Sequence, residues 1–470
     1  EFTDLTVECK KCKQSYKVED IIKESLSPKE AVKKNQVKCP NCGKILKDAK
    51  QVNLMFQTKI GIGKTRNAFL RPETAQGIFI DFHLLYRYAR EKLPFGIIQI
   101  GKGYRNEVSP RQGIIRLREF SMAEAEIFFD PKDKTHPNFN EYKKEKLFLY
   151  DNKKNMNLTL EEAVNEKIVN NEALAYYMYL TQDFLLSIGI DEKKFRFRKH
   201  ADDELAHYAE ECWDAEIYSD RFGWIECVGI ADRSAYDLSS HIDSTNTDMY
   251  AIRKYDKARN VKLTKIVPNM GVLGPLFKNK AGEIKKILEE IEVKEKGNIT
   301  IELDGKKIKI PDNGYKIVKK TNKISGEKYI PHVIEPSFGI DRILYCLLEH
   351  SYFEKKKKDE EYRLLKLNSN VSPIKVGVFP LINDSKLINI SLGIDKKLRS
   401  NGIFSYYDDG GSIGRRYARM DEVGTPFCIT VDHDTLKDDT VTIRYRDTTK
   451  QERKKIKQIE NYLKSKLKHF

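Results

Sequence analysis

Tyr104-Arg-Asn-Glu-Val-Ser-Pro-Arg-Gln-Gly-Ile-Ile-Arg-Leu-Arg-Glu-Phe-Ser-Met-Ala-Glu124 is the stretch on which the fold turns. Strand-like residues Ile97–Ile100 precede it, and Gly113-Ile114-Ile115 separates its two arginine groups. The pattern predicts strand, loop, strand. Arg105, Arg116 and Arg118 on such a hairpin suit bidentate clamping of phosphates. Phe120 suits stacking on a base, and Glu107, Glu119, Glu124 and Glu126 suit an ammonium group. A charged surface hairpin laced with ion pairs has the same spacing, and spacing alone does not choose between the two.

Working outward, residues 51–130 read as strand-rich with one helix near 74–92. Residues 131–200 are polar and mostly helical in pattern, Leu160 to Ile188 being the clearest run. Strand and turn signals surround Gly223, Gly229 and Ser239-Ser240. A helix pattern follows at 282–292. Two alternating runs, 298–303 and 306–310, meet at Asp304-Gly305, a hairpin signal. Val333-Ile-Glu-Pro336 leads into a helix from Gly339 to about His350. The stretch 353–370, with Lys355–Lys358 in a row, reads as a linker. Beyond it strands at 374–379, 403–408, 427–431 and 440–446 alternate with a helix at 385–400, and a basic amphipathic helix closes the chain. That alternation predicts a small α/β domain.

Of 470 residues 40% are hydrophobic, enough for real cores, and length alone suggests about three folded units. Lys and Arg total 85 against 70 acids, a net charge of +15. The surplus suits a polyanion such as nucleic acid; a lysine-rich solvated surface has the same balance. No apolar run is long enough to span a membrane and no signal peptide opens the chain, so a cytoplasmic protein with no membrane partner is expected. Four of the eight cysteines form Cys9-Lys-Lys-Cys12 and Cys39-Pro-Asn-Cys42-Gly43. Two such knuckles supply the four thiolates tetrahedral zinc prefers; a redox dithiol or degenerate knuckle is the other reading. Gly61-Ile-Gly-Lys-Thr65 imitates the end of a phosphate loop, but Thr58 stands where its first glycine is required, so the loop is rejected.

Longer strings carry more. Phe69-Leu-Arg-Pro-Glu-Thr-Ala-Gln-Gly77, Tyr104-Arg-Asn-Glu107, Arg118-Glu-Phe-Ser-Met-Ala-Glu124 and Glu335-Pro-Ser-Phe-Gly-Ile-Asp-Arg342 resemble glycyl-tRNA synthetases of the archaeal and eukaryotic kind. The resemblance continues through His207-Tyr-Ala, Cys212-Trp-Asp214, Gly223-Trp-Ile-Glu226 and Ala231-Asp-Arg-Ser. It reaches Ile413-Gly-Arg-Arg-Tyr-Ala-Arg419 and Asp421-Glu-Val-Gly-Thr-Pro-Phe427. It implies an α+β fold: the class II antiparallel sheet flanked by helices, plus a C-terminal α/β anticodon-binding domain. The implied division is a zinc-ribbon-like module at 1–50, a catalytic domain at 51–365 with insertions at 131–200 and 256–330, and the anticodon-binding domain at 371–470.

By the same resemblance the chain ligates glycine to tRNA(Gly) with ATP and Mg2+, through a glycyl-adenylate. Arg105 and Arg342 are the implied catalytic arginines. ATP would meet Arg105, Asn106, Glu107, Arg116, Leu117, Phe120, Glu226, Cys227 and Arg342, with Phe120 and Arg342 on the two faces of adenine. Glycine would meet Glu73, Glu124, Glu335, Pro336 and Ser337. Glu226 or Glu335 would hold magnesium, and Cys9, Cys12, Cys39 and Cys42 zinc. Arg233 either reaches the substrate carboxylate or pairs with Asp232 or Asp237. In the tail Arg415, Arg416, Arg419, Arg444 and Arg446 either contact tRNA or form framework ion pairs with Asp421, Glu422 and Asp447. The family builds a homodimer through a region before the cysteine module, which this chain, opening at Glu1, lacks; a dimer is expected for the complete protein. The alternative is a non-catalytic relative kept as a nucleic-acid-binding accessory protein. It would be expected to lose Arg105, Glu107, Arg342, Glu73 and Glu124, all of which are present.

Overall fold

The computed structural model describes residues 3–22, 28–108, 110, 112–201, 205, 209–290, 299–303, 306–357 and 360–467. The decisive stretch becomes two long antiparallel strands, β1 (Phe95–Tyr104) and β2 (Glu119–Phe129), joined by a loop holding a short 3-10 turn at Gly113–Ile115. They form one edge of an eight-stranded sheet. Its other strands are β3 (Lys146–Tyr150), β4 (Asn155–Thr159), β5 (Phe195–Lys199), β6 (Glu211–Ser219), β7 (Gly223–Ser234) and β8 (His332–Gly339). The order is β1-β2-β8-β7-β6-β5-β3-β4, antiparallel except where β3 meets β5. Residues 131–200, read as mostly helical, therefore supply three strands of this sheet. Their polar residues masked the alternation of Leu147 and Leu149, both buried.

Period-two alternation gives the sheet two faces. Trp213, Ile230, Ile334 and Phe338 turn one way, into a core with Phe197, Leu147 and helix α2 (Glu172–Ile188). α2 starts where the Asn171 side chain accepts from the Leu174 amide at 2.9 Å and stops at Gly189, whose φ of 118° suits glycine. Leu174, Met178, Leu185 and Ile188 form its buried stripe. The opposite face of the sheet is flanked by α1 (Ala75–Ile80) and α3 (Tyr236–Thr245) at one end. Helix α4 (Ile340–Ser351) leaves directly from β8.

The tail is a second sheet, β10-β9-β11-β12-β13, from β9 (Val376–Pro380), β10 (Ser405–Tyr407), β11 (Phe427–Val431), β12 (Thr440–Tyr445) and β13 (Gln451–Lys455). Its core joins Val376, Val378, Ile429, Val431 and Ile443 to Leu387, Ile394 and Leu398 of α5 (Ser385–Ser400), which the Asp384 side chain caps. An additional helix, α6 (Ile413–Glu422), was not read from the sequence. The expected linker at 353–370 contains a hairpin, Tyr352–Lys357 paired with Glu360–Leu365. Cross-strand charges such as Arg363 on Glu354 at 3.6 Å hide its pattern in a charged run.

Residues Asp248–Ile330 form a compact unit of their own. It holds a long ribbon, Ala251–Pro268 against Tyr315–Tyr329, and a core of Ile266, Leu273, Ile284, Leu288 and Tyr315. The helix at Ala281–Glu290 and the strands Thr300–Leu303 and Lys306–Lys309 fall where the sequence put them; the Asp304-Gly305 turn lies outside the described residues.

Candidate active site

Two rows of residues cross the open face of the sheet. Register sets Glu124 opposite Ser337, Ser337 opposite Gly229, and Gly229 opposite Asp214. The next row runs Glu335, Ala231, Cys212. Above them is a cavity of about 630 Å³. The expected residues Glu73, Arg105, Glu107, Arg116, Leu117, Phe120, Glu124, Glu226, Cys227, Glu335, Ser337 and Arg342 all line it. Asn106 and Pro336 do not. Asn106 is exposed beyond the end of β1, its amide donating to the Leu54 carbonyl at 2.6 Å. Pro336, between two inward residues, turns to the opposite face by strand alternation. A register shift in the β6–β7 pairing gives Cys227 no partner of its own, which is how adjacent Glu226 and Cys227 both reach the cavity.

One end of the cavity is basic. Arg342, on the first turn of α4, donates through Nε to the Ile115 carbonyl at 3.1 Å and through Nη1 to the Glu226 carbonyl at 2.7 Å. Phe120 lies over Gly103, where a Cβ would come within 2.7 Å of its ring. The Arg105 guanidinium sits 5.4 Å from the Phe120 ring centroid. Ser121 is fixed by its amide donating to Asp341 at 2.6 Å. Enclosure in the cavity would raise the Glu226 pKa, but Arg342 and Arg105 outweigh it and hold this carboxyl below its ordinary value.

The other end is acidic and tighter. Glu124 accepts through Oε2 from the amides of Thr74 (2.6 Å) and Ala75 (2.9 Å) at the start of α1, and through Oε1 from the Ser337 hydroxyl at 2.9 Å. Arg233 is buried, with Nε and Nη2 on Asp237 at 2.8 and 2.9 Å and Nη1 on Glu335 at 2.7 Å. Its partner is thus Asp237, one of the two acids weighed, together with Glu335; Asp232 goes instead to Lys134 at 2.6 Å. Glu73 adds a carboxylate 3.9 Å from Arg233. Glu73, Glu335 and Asp237 surround one guanidinium and Glu124 lines the same cavity, a net negative pocket. Burial, with Glu124 and Glu73 nearby and Arg233 opposing, pushes Glu335 up to about 7. Burial likewise raises Glu73. Glu126, beneath them, is fully buried with no hydrogen-bond partner for either oxygen among the described residues. Burial and the Glu335 charge raise it well above the carboxylate range.

Sequence reasoning missed several lining residues: Gln76, His200, Asp214 and Tyr236. Asp214 stood inside a quoted string without a role. His200, whose Nε2 is 2.8 Å from Asp214, had no signal at all. His207 and Tyr208 lie outside the described residues. His200, Cys212 and Asp214 are close enough to share a cation, but Arg198 already holds Asp214 at 2.9 Å. Glu226 and Glu335 belong to no three-ligand group among the described residues. Of the two expected magnesium ligands, Glu335 is committed to Arg233 at 2.7 Å, while the Glu226 side chain is 56% exposed with Arg342 at 3.6 Å.

The four paired cysteines meet. Sulfur separations are 3.5 Å for Cys9–Cys42, 3.4 Å for Cys12–Cys39 and 3.7 Å for Cys12–Cys42. Tetrahedral Zn–S bonds of about 2.3 Å require roughly 3.8 Å. Each knuckle closes alike, with the Lys13 amide on the Cys9 carbonyl and the Gly43 amide on the Cys39 carbonyl, both 2.8 Å. Burial would raise Cys39, but a hydrogen bond from Cys12 and knuckle amides outweigh it and bring it down to about 6.

An antiparallel sheet with arginines at one end of its cavity and acids at the other, joined to an α/β tail, is the frame of a class II aminoacyl-tRNA synthetase. Residues 56–351 match the tRNA synthetase class II core domain (G, H, P, S and T), and 375–466 match the anticodon binding domain. The fold overlies that of Giardia lamblia prolyl-tRNA synthetase in complex with prolyl-adenylate, with a TM-score of 0.51 at 14% identity, over 88% of this chain and 63% of that one. The chain is 46% identical over 505 residues to glycine--tRNA ligase of Methanococcus vannielii, covering 99% of this chain and 86% of that protein. It is 47% identical over 474 residues to glycine--tRNA ligase of Archaeoglobus fulgidus, covering 98% and 83%. The chain belongs to the glycine–tRNA ligases.

Proposed function

We propose that the acidic end of the cavity takes glycine by its ammonium group, and that the basic end takes ATP, so that glycyl-adenylate forms between them and is passed to tRNA(Gly). The observation that carries this is the crowding of Glu73, Glu335 and Asp237 around the single Arg233, with Glu124 lining the same cavity. A small cation is what such a pocket lacks, and buried carboxylates leave no room for a longer side chain. The glycine carboxylate, already ionised, attacks the α-phosphorus; the bond to the β-phosphate oxygen breaks and pyrophosphate leaves. No general base is required. Negative charge grows on phosphoryl oxygens, where Arg105 and Arg342 supply fixed donors. In the second step a 3′-terminal ribose hydroxyl of tRNA attacks the adenylate carbonyl and AMP leaves. Magnesium, with Glu226 as its ligand, would neutralise phosphate charge.

Zinc in the four-cysteine module would be structural, since four thiolates close the site. Sulfurs gathered within hydrogen-bonding distance support it, and metal analysis with a chelation melt tests it. The tail arm of the reading is tRNA binding by residues 371–470, and the 131–200 and 256–330 segments are proposed to approach the acceptor arm. Homodimerisation is supported by the edge strand β1, where Ile98 and Ile100 are 71% and 72% exposed, and by Ile80 and Leu84 nearby in sequence at 63% and 62%. Light scattering with and without Ile100→Asp tests it. Among the described residues no helix is long and apolar enough to cross a membrane; a cytoplasmic location is proposed. The accessory-protein alternative is disfavoured because the arginines and acids it would have lost line one cavity.

The experiment is glycine-dependent ATP–pyrophosphate exchange, with alanine and serine as controls. Exchange with glycine alone is expected. Exchange with alanine at a comparable rate would overturn the exclusion of a side chain by the buried carboxylates, and no exchange with any of the three would overturn the ammonium pocket.

A further inference from the structure

Arg116 lines the cavity from the loop between β1 and β2, yet its two terminal nitrogens are held from outside the catalytic sheet. Nη1 lies 2.5 Å from Asp20 Oδ2 and Nη2 lies 3.1 Å from Asp20 Oδ1, a two-bond fork. Asp20 belongs to the N-terminal module, in the 3-10 turn Glu19–Ile21. That turn is anchored rather than loose. Val18 before it is fully buried in the module core, its amide donating to the Leu5 carbonyl at 2.9 Å, and the Ile21 amide reaches the Val18 carbonyl at 3.2 Å. The side chains remain partly open, 21% for Arg116 and 33% for Asp20.

An arginine carries five N–H donors, and the fork on Asp20 uses two. The remainder stay available while the guanidinium is held against the cavity wall. An unheld arginine on a solvent-facing loop would have to surrender its rotamer freedom when a phosphate arrives. The adjoining loop is fixed on its other side as well, because Arg342 holds the Ile115 carbonyl at 3.1 Å. Asp20 and Arg342 therefore grip adjacent residues of one loop from opposite elements.

We propose that Asp20 is a positioning residue for ATP: it pre-sets Arg116 for the distal phosphates, and so makes the N-terminal module part of the nucleotide site. This rests on the reading of Arg116 as an ATP ligand given above. The bland role for the same pair, a staple between module and core, would alter thermal stability without singling out one substrate. A third arrangement, in which Asp20 competes with phosphate, would make its removal tighten ATP binding.

The test is ATP affinity by calorimetry, with exchange kinetics in parallel, on Asp20→Asn, Asp20→Glu, Arg116→Ala and the Asp20→Asn/Arg116→Ala double variant. Asp20→Asn is expected to raise Kd and KM for ATP about three- to tenfold, with KM for glycine and kcat within about twofold. Asp20→Glu is expected to restore most of the loss. In the Arg116→Ala background Asp20→Asn is expected to add nothing. Unchanged or tightened ATP binding in Asp20→Asn, while Arg116→Ala weakens it, would overturn the role of Asp20 and leave the ATP site standing. If Arg116→Ala itself leaves ATP binding unchanged, the reading of Arg116 falls and the proposal with it. A lowered melting temperature with equal losses for both substrates would mean a staple only.

Discussion

The arginines of the cavity and those of the tail come from equally basic strings, and they differ in what their donors already hold. Arg342 is 35% exposed and touches two carbonyls and one carboxylate edge. In the tail Arg444 is buried and forked onto Asp421 at 2.9 and 2.8 Å. Arg446 spends its donors on Asp447 and on the carbonyls of Gly424 and Leu367 at 2.7 and 2.8 Å. Arg416 is buried on the Pro380 and Gly411 carbonyls, and Arg419 is forked on Asp408. Of five tail arginines weighed as tRNA contacts, four serve the framework. A guanidinium already saturated by its own chain has little left for a ligand. Donor commitment together with burial therefore sets Arg416, Arg444 and Arg446 apart from Arg342 and Arg116, which hold partners of their own but stay partly open on the cavity.

The sharpest break of that comparison is a pair of alanine variants. Arg444→Ala leaves the Asp421 carboxylate buried and unpaired, which should cost about 3–5 kcal/mol of tail stability. Thermal denaturation should show the tail losing structure first, while glycine-dependent exchange per folded molecule stays near normal. Arg342→Ala should do the reverse. Exchange should fall about 10²- to 10³-fold, in line with removal of one oxyanion donor, with a melting temperature within a few degrees of the parent. If Arg444→Ala abolished exchange in a protein that remained folded, donor commitment would be a poor guide to function.

The acids extend the contrast to pH. With Glu335 near 7 in the empty pocket, its ammonium-binding carboxylate form is full above that value and is lost as pH falls through it. KM for glycine should therefore rise about tenfold between pH 8 and pH 6, with KM for ATP nearly flat. Glu335→Gln should bind glycine weakly at both values and lose the slope. A slope that survived the substitution would have to come from a neighbour such as Glu73, also raised by burial.

Much of this was legible, and the reasons are local. Glu124 and Ser337 stood in motif strings, and period-two alternation put them on one face. The same alternation should have removed Pro336, since Glu335 and Ser337 cannot both face inward with it. Asp237 was legible only as an alternative partner, four residues after Arg233; the two meet because the chain turns sharply at Ser234, between the end of β7 and the first turn of α3. His200 and Asp20 were not legible: each acts through a residue distant in sequence, and nothing in its neighbourhood marks it. The ribbon Ala251–Pro268 against Tyr315–Tyr329 was hidden by its lysines, which cover the apolar alternation. α6 was hidden differently. Ile413, Tyr417 and Met420 mark its apolar stripe, against Phe379 and Cys428, but its arginines drew the reading toward RNA.

Arg415 remains, and it carries the smallest expected effect. It is exposed on the first turn of α6, and its side chain makes no hydrogen bond or ion pair with the described residues. By the argument from donors it is the tail arginine with most left to give a phosphate. Arg415→Ala should raise KM for tRNA about two- to fivefold and leave exchange and melting unchanged. One lost phosphate contact should also lower the slope of log affinity against log salt by just under one. Arg419→Ala is the matched control, since its fork on Asp408 already occupies it. If the two variants lowered tRNA affinity and salt dependence equally, exposure rather than donor commitment would govern which arginines of this tail meet the RNA.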